Sequence, residues 1–172
     1  DRSPSRGLGD VYKRQGLAVP IGAVGIGAII ITAIYWLFGF LRMGTTGLTA
    51  QAIGSGDKHE TSALLVRGVI IGFTAGLILI IAQVPIFLGA LQLSPASMEV
   101  ESLAQKYLQI RVYSAPAAIA LFGITGWLIA KEKTRAVLLL QLVLNGINIA
   151  LDLVFVLKLG WGVEGVAIAT LI

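Results

Sequence analysis

From Gly16 onward the chain alternates long apolar runs with short polar segments. Gly16 to Leu41 is an uncharged run of 26 residues, and Gly68 to Met98 is another of 31. Val112 to Ala130 gives 19, and Ala136 to Leu157 gives 22 with one interruption, Asp152. About 20 residues at 1.5 Å rise cross a 30 Å hydrocarbon core, so each run predicts a transmembrane helix. A further apolar stretch begins near Val163 and runs to Ile172. The alternative in lipid is a closed barrel, which needs period-two alternation that these solid runs lack. The predicted fold class is all-α and integral to a membrane. It is an antiparallel transmembrane helix bundle with four complete helices and the start of a fifth, over about 16–50, 62–93, 101–130, 133–158 and 162–172.

Turn chemistry supports these boundaries. Gly54-Ser55-Gly56-Asp57 breaks the chain, with Asp57 and Glu60 suited to the positive end of the next helix. Ser94-Pro95 opens a second loop, after which Met98 to Tyr107 has the pattern of a short amphipathic helix. Trp161, in the Leu159–Gly162 turn, is placed as an interfacial aromatic. Pro85 and Pro116 are expected to kink their helices. Gly68, Gly72 and Gly76 recur at the spacing that lets helix backbones approach closely.

The basic residues set an orientation. Arg42, Lys58 and Arg67 surround the first loop, and Lys131, Lys133 and Arg135 crowd the third, against Lys106, Arg111 and Lys158 on the other side. The positive-inside rule then puts the richer side in the cytoplasm. The first span runs from outside to inside, so a preceding helix is expected.

Composition agrees: 56% of residues are hydrophobic and 13% charged, about half the charge a soluble domain carries. The basic excess (pI near 9.6) is divided among short loops, so it is read as topology and not as a nucleic-acid surface. With no cysteine and one histidine, His59, thiol chemistry and multi-histidine metal sites are excluded. The first fifteen residues stand apart, holding six of the 22 charged residues and no apolar run. They look like translated cloning or sequencing-adaptor sequence, a non-native or disordered prefix; a basic cytoplasmic tail is the natural alternative. A signal peptide is excluded because the following apolar run is too long and lacks a small-residue cleavage site.

Most polar residues inside the spans, such as Thr32, Thr74 and Thr125, can bond their own helix backbone. The fourth span differs. Gln141, Asn145, Asn148 and Asp152 are spaced 4, 3 and 4 residues apart, which puts them on one helical face. A carboxylate at the membrane centre costs about 2.5–3.5 kcal/mol on insertion scales, so Asp152 must face a cavity or a partner. Thr170 lies as far after Trp161 as Asp152 lies before it, so an antiparallel hairpin brings the two to similar depth, with Asn148 one turn deeper. A carboxylate, an amide oxygen and a hydroxyl make a hard-oxygen cluster suited to Na⁺, and a desolvated carboxylate can instead carry a proton. The bland alternative is a polar stripe that glues helices together. Arg111 opens the third span, where snorkelling to the headgroups is the default and a gating salt bridge the alternative. The glycines Gly22, Gly25 and Gly27 miss the dinucleotide-binding spacing, and His59-Glu60 lacks the second histidine of a zinc protease helix. No catalytic constellation is present, so an enzyme is not expected.

Several stretches carry a family resemblance: Trp36 to Gln51, Ile110-Arg111 with Ala115-Pro116, Gly126-Trp127-Leu128, Lys133-Thr134-Arg135, Asn148 to Asp152, and Trp161 to Thr170. Together they resemble the multidrug and toxic compound extrusion (MATE) transporters, especially their DinF-like branch. The resemblance implies a twelve-helix antiporter of two six-helix bundles, in a bacterial inner membrane, of which this chain would hold helices two to five and the start of six. It implies export of small amphipathic organic, drug-like compounds in exchange for H⁺ or Na⁺, with no other cofactor and with membrane lipid and the transporter's remaining helices as partners. It further implies that Asn148, Asp152 and Thr170 belong to a cation-coupling site, with Asn145 and Gln141 as polar lining and Arg111 and Pro116 in gating or structural roles. The family site also uses an aspartate of helix one, which this chain would lack. A lipid-linked oligosaccharide flippase of related architecture and a non-transport membrane scaffold remain the alternatives.

Overall fold

The computed structural model describes residues 4–93 and 96–171, with side chains described from residue 18 onward. Asp1–Ser3 of the prefix and the Ser94-Pro95 loop opening therefore lie outside the described residues. The backbone of residues 4–17 belongs to the first helix, α1 (Pro4–Trp36). Next come α2 (Gly39–Gly54) and α3 (Lys58–Ile81). They are followed by α4 (Gln83–Gln92), α5 (Met98–Arg111), α6 (Ala115–Ala130), α7 (Thr134–Asp152) and α8 (Gly162–Leu171). Joined end to end, these form four stretches long and apolar enough to cross a membrane: Ala18–Gly54, Lys58–Ile81, Met98–Ala130 and Thr134–Lys158.

Each interruption has a local cause. Pro85 has no N–H for the carbonyl of Ile81 and its ring crowds that carbonyl, so the helix breaks at Ala82 between α3 and α4. Pro116 does the same one span later: a 3₁₀ turn, Val112–Ser114, separates α5 from α6, and the proline sits in the first turn of α6, where its missing donor costs nothing. The first span, expected as one helix, breaks at Leu37–Phe38 without a proline. There the amides of Phe38 and Leu41 bond three residues back, to Tyr35 and Phe38, ahead of the permissive Gly39. Asp57 caps α3 by accepting the amide of Glu60 at 2.8 Å, and the Gly56 before it has positive φ.

Small residues decide how the helices meet. A Cβ added at Gly72 would lie 2.6 Å from the Cα of Ala120, one at Gly76 would collide with the backbone of Pro116, and Gly68 faces Gly123. Thus α3 lies against α6 along the whole glycine stripe, without a large side chain between them. Gly126 on the same helix α6 presses on the carbonyl of Arg42 in α2. Trp127 Nε1–H locks this group of three helices by donating to the carbonyl of Thr61 at 2.7 Å, and the Thr46 hydroxyl shares its hydrogen between the carbonyl of Arg42 on its own helix at 2.8 Å and that of Gly126 at 3.1 Å.

A second packing unit joins α1, α5 and α8. Gly27 makes room for the ring of Tyr107, which is buried together with Val163 and Ala167. Helix α5 was expected as a short amphipathic element; in the fold its Ala104, Tyr107 and Leu108 are buried, and its acidic first turn carries Glu99 and Glu101. Helix α7 is the exception to all this packing, since none of its residues is buried.

Candidate cation site

The polar face of α7 approaches α8 through a hairpin. Between them the chain leaves α geometry at Asp152: Leu153–Lys158 form a π-helical stretch, with the Leu159 amide bonding back to the carbonyl of Val154 at 3.1 Å. π turns inside α-helices are uncommon and occur often at functional positions. Gly160 and Gly162, both at positive φ, turn the chain, and Trp161 stacks on Phe155 with ring centroids 5.2 Å apart. Only glycine takes these left-handed positions without strain.

The side chains then fall into two groups. Asn148 Nδ2 donates one of its two hydrogens to the carbonyl of Ala169 at 3.2 Å, and its side-chain oxygen has no partner among the described residues. The Thr170 hydroxyl donates to the carbonyl of Val166 at 2.7 Å, so its hydrogen is committed and its lone pairs remain. Asp152 Oδ1 is shut away from solvent and has no hydrogen-bond partner among the described residues. A buried polar atom without a partner demands an explanation, because desolvating it is costly. No donor among the described residues reaches any of the three oxygens. No group of three or more His, Cys, Asp or Glu occurs among the described residues, so the donor set is one carboxylate with neutral oxygens.

The register differs from the expected one. Asn148 reaches Ala169, and Phe155 lies against Gly165, so Thr170 is nearer the level of Asn148 than of Asp152. The wide π turns advance less per residue than an α-helix, which brings Asp152 closer to the turn than an α-helical count gives. Asp152 stands one helical turn nearer the hairpin end than Asn148, and among the described residues no hydrogen bond joins it to Asn148 or Thr170. Gln141 and Asn145 are exposed and join no contact in this group.

The second group surrounds Arg111, which is half-buried. Its guanidinium turns inward, and one terminal nitrogen donates both to the Ser114 hydroxyl at 2.9 Å and to the carbonyl of Thr170 at 2.7 Å. Tyr35 of α1 joins with its hydroxyl 3.1 Å from that of Ser114 and 3.3 Å from the Arg111 carbonyl. Tyr35 and Ser114 carried no sequence signal, since the contact between them spans 79 residues and each lies in an apolar run. Pro116 is buried against α3, where it serves the packing of α6. His59-Glu60 does not act as a pair: Glu60 forms an ion pair with Arg67 two turns along the exposed face of α3.

Residues 18–154 match the MatE family model. The chain belongs to the MatE family. It is 38% identical over 171 residues to DNA damage-inducible protein F of Escherichia coli K12, a match covering 98% of this chain and 37% of that relative. Over 108 residues it is 33% identical to Protein DETOXIFICATION 43 of Arabidopsis thaliana, covering 63% of this chain and 20% of that one. Among solved structures it resembles a MATE protein in complex with MaD3S, with a TM-score of 0.81 at 28% identity, over 96% of this chain and 37% of the other. It also resembles an outward-facing multidrug resistance MATE family transporter of the MOP superfamily, with a TM-score of 0.78 at 27% identity, over 94% of this chain and 38% of the other. The matches thus span between a fifth and somewhat over a third of the length of these relatives. A MatE member with four apolar membrane-length helices is an integral, multi-pass membrane protein of a transporter family.

Proposed function

We propose that this MatE chain supplies the cation-coupling part of an efflux antiporter, which exports small amphipathic organic compounds across a bacterial inner membrane in exchange for H⁺ or Na⁺. The observation that carries the reading is the trio of oxygens left without donors: Asp152 Oδ1, the side-chain oxygen of Asn148 and the Thr170 hydroxyl oxygen. In this reading Asp152 takes up the coupling ion, and Asn148 and Thr170 contribute neutral oxygens. One carboxylate balances one monovalent charge, which favours Na⁺ or a proton over a divalent ion. The multidrug efflux assignment draws its support from family membership and from the similar solved transporter.

Coupling follows from differential affinity. An ion that binds one facing of the transporter better than the other shifts the population toward that facing, by no more than the difference between its two binding free energies. Asp152 sits where α7 passes into π geometry, so filling or emptying its oxygen acts at the hinge of the α7–α8 hairpin. Helix α7 has no buried residue, and the lining residues Gln141 and Asn145 remain open to whatever shares the transport cavity.

The test uses a full-length transporter carrying this sequence, reconstituted in proteoliposomes. Ethidium efflux is followed under an imposed pH or Na⁺ gradient for the wild type and for Asp152→Asn. Loss of gradient-driven efflux in a folded Asp152→Asn protein supports the reading, and the effective gradient names the ion. Unchanged gradient-driven efflux in that variant refutes it.

A further inference from the structure

The half-buried Arg111 remains outside the coupling chemistry just described, and its contacts are specific. We infer that Arg111 is a positioning residue for the cation site: it fixes the turn of α8 that carries Thr170, and so sets the site's affinity for the coupling ion. The inference rests on the proposed role of Asp152, Asn148 and Thr170.

Three observations support it. First, Arg111 holds the backbone of Thr170 itself, at 2.7 Å, while Asn148 holds the preceding carbonyl, that of Ala169, at 3.2 Å. Two consecutive carbonyls of α8 are therefore held by side chains from two other helices, α5 and α7. Between these anchors the Thr170 hydroxyl has one orientation, with its hydrogen on Val166 and its lone pairs free. Second, the arginine is itself braced. Ser114 donates to the Arg111 carbonyl at 2.8 Å and accepts from the guanidinium, and the hydroxyl of Tyr35 reaches both Ser114 and the Arg111 carbonyl. The brace runs from α1 through the 3₁₀ turn that Pro116 imposes after α5. Third, Arg111 makes no ion pair with a carboxylate among the described residues, where the pair is Arg67 with Glu60. An ionisable side chain inside a membrane span is costly and is retained where it serves function, and that of Arg111 is half-buried. Here its charge is spent on a neutral backbone carbonyl beside the proposed site. Its Nε is buried and without a partner among the described residues, so the side chain is not placed for maximal hydrogen bonding.

Chemistry separates Arg from Lys at this place. The guanidinium presents donors in a fixed fork, whereas an ammonium is a point charge on a flexible stem. Arg111→Lys keeps the charge but loses the rigid span from Ser114 to Thr170. A hydrogen bond from a charged donor contributes about tenfold or more in an equilibrium and lysine recovers part of it, so the half-saturating ion concentration should rise roughly five- to tenfold. The maximal rate at saturating ion should change less.

The experiment measures ethidium efflux by the full-length transporter in proteoliposomes, as a function of Na⁺ concentration or of pH, whichever drives the wild type. It compares Arg111→Lys, Ser114→Ala, Thr170→Val and the double variant Arg111→Lys/Thr170→Val. Ser114→Ala weakens the brace without altering the charge, and so serves where Arg111→Lys fails to fold. The expected result is a higher half-saturation point in Arg111→Lys and Ser114→Ala, with Arg111→Lys adding nothing once Thr170→Val has removed the hydroxyl. A purely structural arginine would lower the yield of folded protein and leave the half-saturation point where it was. Unchanged half-saturation in the folded Arg111→Lys or Ser114→Ala protein, or full additivity in the double variant, overturns the inference while the site stands. Wild-type ion dependence in Asp152→Asn overturns the site reading and this inference with it.

Discussion

Replacing Gly72 by alanine should destabilise the chain, although alanine is the better helix former. The Cβ it adds would stand 2.6 Å from the Cα of Ala120 and 2.7 Å from its amide nitrogen. Ordinary van der Waals contact begins at 3.4 Å, so α3 and α6 must part by the difference, about 0.8 Å. Both offending atoms are backbone, so no side chain can swing aside. Parting the helices also loosens the Gly68–Gly123 and Gly76–Pro116 contacts on the same stripe. Overpacking of this kind costs about 1–3 kcal/mol, while the helix preference for alanine returns about 0.5–1 kcal/mol. The net expectation is a loss of up to about 2.5 kcal/mol. Gly44→Ala in α2 and Gly25→Ala in α1 are the controls, because a Cβ at either position meets nothing within 4 Å. They should be neutral or stabilising by up to about 1 kcal/mol. The assay is unfolding of the chain in mixed micelles by SDS titration, read by circular dichroism. Opposite signs at Gly72 and Gly44 are expected. Gly72→Ala at or above wild-type stability would refute close backbone packing as the force joining α3 to α6.

Further substitutions test other parts of the fold. Trp127→Phe removes the 2.7 Å bond to the carbonyl of Thr61 and weakens the contact with Lys131, whose ammonium lies 4.4 Å from the ring centroid; a loss of about 0.5–1.5 kcal/mol should appear in the same titration. Asp57→Ala removes the cap on α3 and should cost about 1 kcal/mol, with faster hydrogen exchange at the Glu60 amide as the local sign. Pro85→Ala gives the Ile81 carbonyl a donor and should straighten the α3–α4 junction, seen as a longer distance between spin labels at the exposed positions Ile70 and Leu88; an unchanged distance would mean that packing, not proline, sets the bend. Asn148→Ala removes the bond between α7 and Ala169 and should cost about 0.6 kcal/mol, the average for such interhelical bonds in membranes. In the transporter it should also raise the half-saturating ion concentration.

What could be read in the chain beforehand followed from local rules. The Gly68–Gly72–Gly76 stripe announced a close helix contact because only small residues allow it, yet nothing in its spacing named α6 as the partner. Pro85 and Pro116 announced breaks because a missing N–H acts on the carbonyl four residues back. The break at Leu37–Phe38 has no proline and was not legible. The spacing of Gln141, Asn145, Asn148 and Asp152 gave a shared face, but not that only Asn148 would engage α8 while Gln141 and Asn145 stayed exposed. Counting residues from Trp161 assumed one rise per residue, and the π stretch Leu153–Lys158 broke that assumption.

The sequence by itself determined that this is a membrane chain, where its helices run, which residues bend them and which face of α7 is polar. Those properties depend on hydrophobic length, backbone donors and helical periodicity, all of which act within a few turns. Tertiary structure alone decided the contacts between distant positions. It joined Tyr35 to Ser114, turned Arg111 inward onto the carbonyl of Thr170, and set the register that places Thr170 near Asn148. In a bilayer the apolar faces of helices gain little by choosing one another over lipid, so partner and register are settled by close small-residue packing and a few buried hydrogen bonds. Those are pairwise terms between residues tens of positions apart, and no local pattern encodes them.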